Sequence, residues 1–185
     1  MKIVLGSKSA RRKELLSLMG YDFIVHGIDA DEEIEDYKNS KDYVYQVVLR
    51  KGKLVSELHP NELIICADTI VVVDDIILNK PQSIDEAKQM INLLAGRSHD
   101  VLTAVYLYYQ NKYQVFVEKT KVTIDELSDK EIDDYVNTSE PYDKAGGYAI
   151  QGLFAKHIKS INGDYYNVMG LPINKLYHRI NEITK

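Results

Sequence analysis

The sequence predicts an α/β fold in which helices flank a mixed, twisted sheet. Three observations lead there. Short runs rich in Val, Ile and Leu alternate along the chain with segments whose apolar residues recur every three or four positions. Two pairs of apolar runs are joined by short turns, so hairpins accompany the crossovers and the sheet is not wholly parallel. No repeat, low-complexity stretch or linker interrupts the pattern, so residues 1–185 read as a single domain. Strands this long would divide the molecule into two lobes with a cleft.

The elements follow in order. Lys2 to Leu5 is a short buried strand. Ala10 to Met19 is a helix, with Ser9 placed to cap its start and Gly20 to end it. Asp22 to His26 is a second strand, followed by the acidic polar loop GIDADEEIEDYKNS. From Lys41 to Leu58 the spacing of Val44, Val47, Val48, Leu54, Val55 and Leu58 predicts a helix with those six on its apolar side. LIICADTIVVV is a long strand, and Asp74-Asp75 is a tight turn into IIL. SIDEAKQMINLLAG opens with a capping box, Ser83 and Glu86, and stops at Gly96. Val101 to Tyr109 and Tyr113 to Ile124 are two strands joined at Asn111-Lys112. SDKEIDDYVN starts with a second capping box, Ser128 and Glu131. Phe154 to Ile161 is read as a strand, and Pro172 to Ile183 as a last helix with proline in its first turn.

Composition narrows the function. A chain of 185 residues with 45% apolar side chains has enough material for a proper core. Its formal net charge of −5 argues against bulk binding to nucleic acid or to a membrane surface, so any basic cluster is a local feature. The lone Cys66 excludes an internal disulfide and suits a reducing compartment. No apolar stretch reaches the ~18 residues of a membrane span, and the expected location is the cytoplasm.

The chemistry is concentrated in a few segments. GSKSARRKELL puts Ser7, Ser9, Arg11 and Arg12 at a helix start, where unpaired N–H groups and a partial positive charge favour anions. The guanidinium fork suits phosphate. A capped helix with solvated arginines explains the same residues equally well. The loop lacks the spacing of a Walker phosphate loop or of a dinucleotide-binding loop. Asp68 sits inside LIICADTIVVV, and a carboxylate in such a run must meet a cation, a metal or several donors. That suits a general base or a metal ligand, and a turn-capping aspartate at a strand end is the structural alternative. In a regular strand Thr69 leaves the opposite face, so both reach one ligand only near a strand end or a bulge. Lys80 precedes a proline in a loop, and Lys51 lies on the long helix; alone, each reads equally as a solvated lysine. Asp31 to Glu33 is a carboxylate cluster of the kind that holds Mg²⁺, or a solvated acidic loop. No histidine or cysteine spacing suggests zinc, and no G-x-S-x-G elbow suggests a serine hydrolase. In DKAGGYAIQG the glycines mark a tight bend or a close approach to a ligand, and Gln151 carries an amide able to read a base edge.

Taken together, SKSARR, CADTIV, KP, GRSHDVLT, DKAGGYAIQG and GDYYNVMGLP resemble the successive motifs of the Maf family, in order and over nearly the whole chain. That resemblance implies a fold similar to inosine triphosphatase. It also implies a house-cleaning enzyme that cuts nucleoside triphosphates to the monophosphate and pyrophosphate with a divalent metal, Mg²⁺ first and Mn²⁺ or Co²⁺ as substitutes. One branch of the family prefers dTTP and UTP and another 7-methyl-GTP; Arg11, Arg12, Thr69 and Gln151 match the first. By the same resemblance Asp68 is the proton acceptor, and Arg11, Thr69 and Gln151 are specificity residues. Ser7, Arg12, Lys51 and Lys80 handle phosphate, and Glu32 belongs to the metal-binding acidic loop. Gly6 and Ala10 depart from the Ala and Pro usual in the family. The partner implied is a nucleoside triphosphate, with a homodimer among the expected assemblies. A non-catalytic nucleotide-binding regulator, linked to cell-division arrest, is the alternative from another class.

Overall fold

A computed structural model describes residues 1–28 and 34–185. In chain order the elements are β1 (Ile3–Leu5), α1 (Ala10–Leu18), β2 (Phe23–Val25), α2 (Ser40–Leu58), β3 (Leu63–Val73), β4 (Ile76–Leu78), α3 (Ile84–Leu94), β5 (Ser98–Tyr109), β6 (Lys112–Ile124), α4 (Asp129–Val136), β7 (Ile158–Asn162), α5 (Tyr165–Met169) and α6 (Ile173–Ile183). Short 3₁₀ turns cover Pro141–Asp143, Ala145–Gly147 and Leu153–His157. The strands follow the order β2-β1-β3-β5-β6-β7, with β4 beside β3. β1 runs parallel to β2 and β3, whereas β4 is antiparallel to β3 and β7 to β6, so the sheet is mixed, as the sequence predicts.

By its internal contacts the chain forms two compact units. The first comprises Met1–Asp68, Thr103–Glu118 and Gly170–Lys185. Its core is built from Val4 and Leu5 of β1, Leu15 and Leu16 of α1, and Val44, Val48 and Val55 of α2, all fully buried. Gly52 has no side chain for a direct reason: a Cβ there would lie 2.2 Å from Cγ of the buried Tyr106 ring. The buried stripe of α2 therefore includes Lys51, Gly52 and Ser56. Leu54 and Leu58, expected on that side, are instead 42% and 59% exposed. Leu54 falls just off the stripe, and Leu58 occupies the last turn before the helix ends at His59. The β5–β6 hairpin turns at Gln110-Asn111, with φ of 50° and 63°, one residue earlier than expected. A type I′ two-residue turn needs positive φ at both centres. Gln is an unusual occupant of that conformation, which is why the sequence misplaces the turn.

The second unit comprises Thr69–Leu102 and Lys119–Met169. Its core draws on Val71 and Val73, Ala87, Ile91 and Leu94 of α3, Val122 and Ile124 of β6, Ile132 and Val136 of α4, and the rings of Tyr135, Tyr148 and Phe154. Asp74 and Asp75 form the expected tight turn, with φ of 48° and 63°. At α4 the capping box is complete. At α3 only half of it forms: Ser83 Oγ accepts from Glu86 N–H at 3.2 Å, but the Glu86 carboxylate accepts from Gln82 N–H at 2.6 Å. The strand read from Phe154 to Ile161 is corrected as well. Leu153–His157 coils into a 3₁₀ turn and the strand occupies only Ile158–Asn162. The Glu140 carboxylate accepts from the N–H groups of Leu153 and Phe154, which fixes the turn.

Candidate active site

Ser7, Ser9, Arg12, Lys51 and Asp68, five of the residues singled out in the sequence, lie in the first unit. Ser9 caps α1 as expected, its Oγ accepting from Arg12 N–H at 3.4 Å. Ser7 Oγ accepts from Ser9 N–H and from Arg12 Nη1, each at 3.2 Å. A hydroxyl that accepts still has its own hydrogen to donate, so Ser7 and Ser9 keep a donor for an anion. Arg12 is also aimed from its other edge, its Nε donating to the Gly170 carbonyl at 2.9 Å. Gly170 has φ of 111°, which favours glycine, and it lies in the GDYYNVMGLP motif, two residues before its last. The preceding part of that motif is anchored inside the second unit. Asn167 Nδ2 donates to the Val101 carbonyl at 3.0 Å and to Thr120 Oγ1 at 2.9 Å.

Asp68 is the sixth residue of the eleven-residue β3 rather than a turn cap. Lys51 Nζ stands 3.6 Å from its Oδ1, with the two side chains 9% and 16% exposed. The cation that a carboxylate in an apolar strand requires is thus supplied from α2. Cys66 shares the Asp68 face of the strand, two residues back. Burial pushes the Cys66 thiol up to about 12, against the opposing pull of Lys51 and Arg12 and of a Gly6 backbone hydrogen bond. The thiol is therefore a neutral spacer among cations. A Cβ on Gly6 would lie 2.3 Å from Cys66 Sγ, so the sulfur takes the space an alanine methyl would need. Gly27 allows a similar approach, since a Cβ there would lie 2.8 Å from Lys8 N.

Arg11 lies half-buried in the first turn of α1. Thr69, Lys80 and Gln151 belong to the second unit. Thr69 follows Asp68 in a continuous strand, at neither of its ends, so the two side chains leave opposite faces. Lys80 and Gln151 are exposed, and their loops are tied together because Gly146 N–H donates to the Asn79 carbonyl at 3.1 Å. Gly146 and Gly147 take φ of 69° and 72°, the tight bend expected of DKAGGYAIQG. Lys80 also lines a cavity of about 540 Å³ with Glu86 and Met90. Glu32, expected to hold the metal, lies outside the described residues. Among the described residues, no group of three or more His, Cys, Asp or Glu is arranged to hold a metal ion.

A family model for Maf-like proteins matches residues 2–183. The chain belongs to the Maf family. A dTTP/UTP pyrophosphatase of Bacillus cytotoxicus is 44% identical over 98% of this chain and 95% of its own length. One from a Geobacillus species is 42% identical over 98% of both chains. The Ham1 protein of Staphylococcus aureus shares the fold, with a TM-score of 0.59 at 14% identity over 98% of this chain and 99% of its own. Against the family pattern, the Gly6 departure has a packing explanation in Cys66.

Sequence reasoning missed several residues that order the candidate site. Gly170 orients Arg12 through a carbonyl, and any residue type carries one. Glu140, and the buried His99 paired with Tyr148, act on the Gln151 loop at long range. The one available signal for His99 is its place inside GRSHDVLT.

Proposed function

We infer that this Maf protein is a nucleoside triphosphate pyrophosphatase that hydrolyses dTTP and UTP to the monophosphate and pyrophosphate, clearing the nucleotide pool. The observation that carries this reading is the Lys51–Asp68 pair beside the Ser7–Arg12 cluster. It stands in a chain whose relatives of the same length carry that activity in their names.

In the mechanism we propose, the hydroxyls of Ser7 and Ser9, the start of α1, Arg12 and Lys51 bind the triphosphate. Asp68 takes the proton of the attacking water. Lys51 sits against that carboxylate, holds it in place and offsets its charge as phosphate approaches. A divalent cation, Mg²⁺ by preference, suits this donor set. Such ions use one or two carboxylates, with phosphate and water completing the shell, and Glu32 is the proposed carboxylate. When bound, the ion would neutralise charge on the triphosphate. Gln151 would read the pyrimidine. A site that hydrogen-bonds its base rejects analogues that leave its polar groups unpaired. No helix among the described residues is long and apolar enough to cross a membrane. We place the activity in the cytoplasm, which the single buried free cysteine supports.

Wild-type protein with Mg²⁺ should turn dTTP into dTMP and pyrophosphate. Asp68→Asn should keep the fold, read by circular dichroism, and lower kcat at least about hundredfold, the usual scale for a general base. Near-normal turnover by Asp68→Asn would rule out Asp68 as the base.

A further inference from the structure

The loop carrying Gln151 is fixed from behind by a carboxylate. Glu140 Oε2 accepts from Leu153 N–H at 2.8 Å, and its Oε1 accepts from Phe154 N–H at 3.3 Å and from the Tyr135 hydroxyl at 3.1 Å. Three donors determine the orientation of that carboxylate, and two of them are backbone groups two and three residues beyond Gln151. Gly152, between Gln151 and Leu153, lets the carboxylate in: a Cβ there would stand 2.2 Å from Glu140 Oε2. Glu140 is itself held, its N–H donating to Thr138 Oγ1 at 3.3 Å. Tyr135 belongs to α4 and packs on the Phe154 ring at 4.8 Å, inside the core of the second unit. On the other side of Gln151, Tyr148 OH and His99 Nε2 lie 2.6 Å apart, both residues buried. The exposed Gln151 is thus the free middle of a strap whose ends are pinned to the core.

This arrangement matters for the choice between bases. The edge of uracil or thymine presents an N–H donor beside a carbonyl acceptor, and cytosine presents the reverse order. A glutamine amide presents either order after a half-turn of its side chain. It discriminates only if its backbone is placed so that one order reaches the base and the other does not.

We propose that Glu140 is a positioning residue for pyrimidine selection, holding the 152–154 backbone so that Gln151 meets uracil or thymine and not cytosine. The proposal rests on the reading that Gln151 contacts the base.

The test is kcat/KM for UTP and for CTP, with melting temperature, on wild type, Gln151→Ala, Glu140→Gln and Tyr135→Phe. Gln151→Ala and Glu140→Gln should each lower the UTP:CTP ratio by about fivefold, the scale of one hydrogen bond, through KM rather than kcat. Tyr135→Phe, which removes one of the three donors and keeps the ring, should shift the ratio the same way by less. A purely structural role would reduce turnover of both nucleotides together and leave the ratio unchanged. If Gln151→Ala lowers the ratio and Glu140→Gln does not, the proposal is overturned and the base-contact reading survives. If Gln151→Ala leaves the ratio unchanged, both fall, whatever Glu140→Gln does. Should Glu140→Gln fail to fold, an unchanged ratio in Tyr135→Phe overturns the proposal.

Discussion

Gly6 and Cys66 meet where β1 gives way to the Ser7–Ser9 loop, and their contact couples a packing choice to the segment proposed to bind phosphate. A methyl on Gly6 would press on Cys66 Sγ at 2.3 Å and on Val55 Cγ2 at 3.0 Å. Gly6→Ala should therefore destabilise the protein by about 1–3 kcal/mol, the usual cost of overpacking a core. Adding Cys66→Ala removes the obstacle, so the double variant should be more stable than the sum of the two single changes predicts. Urea midpoints for the four proteins give the coupling. Additive losses would show that the sulfur is not what excludes a side chain at position 6. At this scale the sequence is partly transparent. Asp68 announces itself because a carboxylate inside an apolar strand must find a cation. Lys51 does not, because nothing in a helical run says which lysine is turned inward. Its burial and its 3.6 Å approach to Asp68 distinguish it from its neighbours.

Capping and periodicity place most helices and strands, since both are local. Ser9, Ser83 and Ser128 all cap where the sequence puts them. Elements fail where a distant side chain decides, as when Glu140 coils Leu153–His157 or Tyr106 sets the buried stripe of α2. The contact between β5 and the glycine segment has a consequence for stability. Burial lowers the His99 imidazole to about 4 from 6.5, only partly opposed by Asp100. Between those values the unfolded chain binds a proton that the folded chain does not. This contribution is therefore complete above about pH 6.5 and is lost as pH falls towards 4. The melting temperature should fall across that window, and more gently in His99→Gln, which has no imidazole to titrate. Equal slopes in the two proteins would remove His99 from the account of acid sensitivity.

For the whole molecule, the alternation of patterns was enough to give a mixed sheet flanked by helices, and six ordered motifs were enough to give the family. The distribution of the candidate residues was not legible. Ser7, Ser9, Arg12, Lys51 and Asp68 fall in one unit and Thr69, Lys80 and Gln151 in the other, a division set by long-range strand pairing that no local spacing records. The motifs also mix chemistry with support. GDYYNVMGLP, quoted as one segment, supplies an interior anchor at Asn167 and a carbonyl that aims Arg12 at Gly170. The proposed function is the release of pyrophosphate from pyrimidine triphosphates. The measurement is product analysis on purified protein with Mg²⁺ and dTTP, UTP, CTP, GTP or 7-methyl-GTP, separating pyrophosphate from inorganic phosphate. The expected product is pyrophosphate, with dTTP and UTP turned over fastest. Release of inorganic phosphate, a preference for 7-methyl-GTP, or nucleotide binding without turnover would each contradict it.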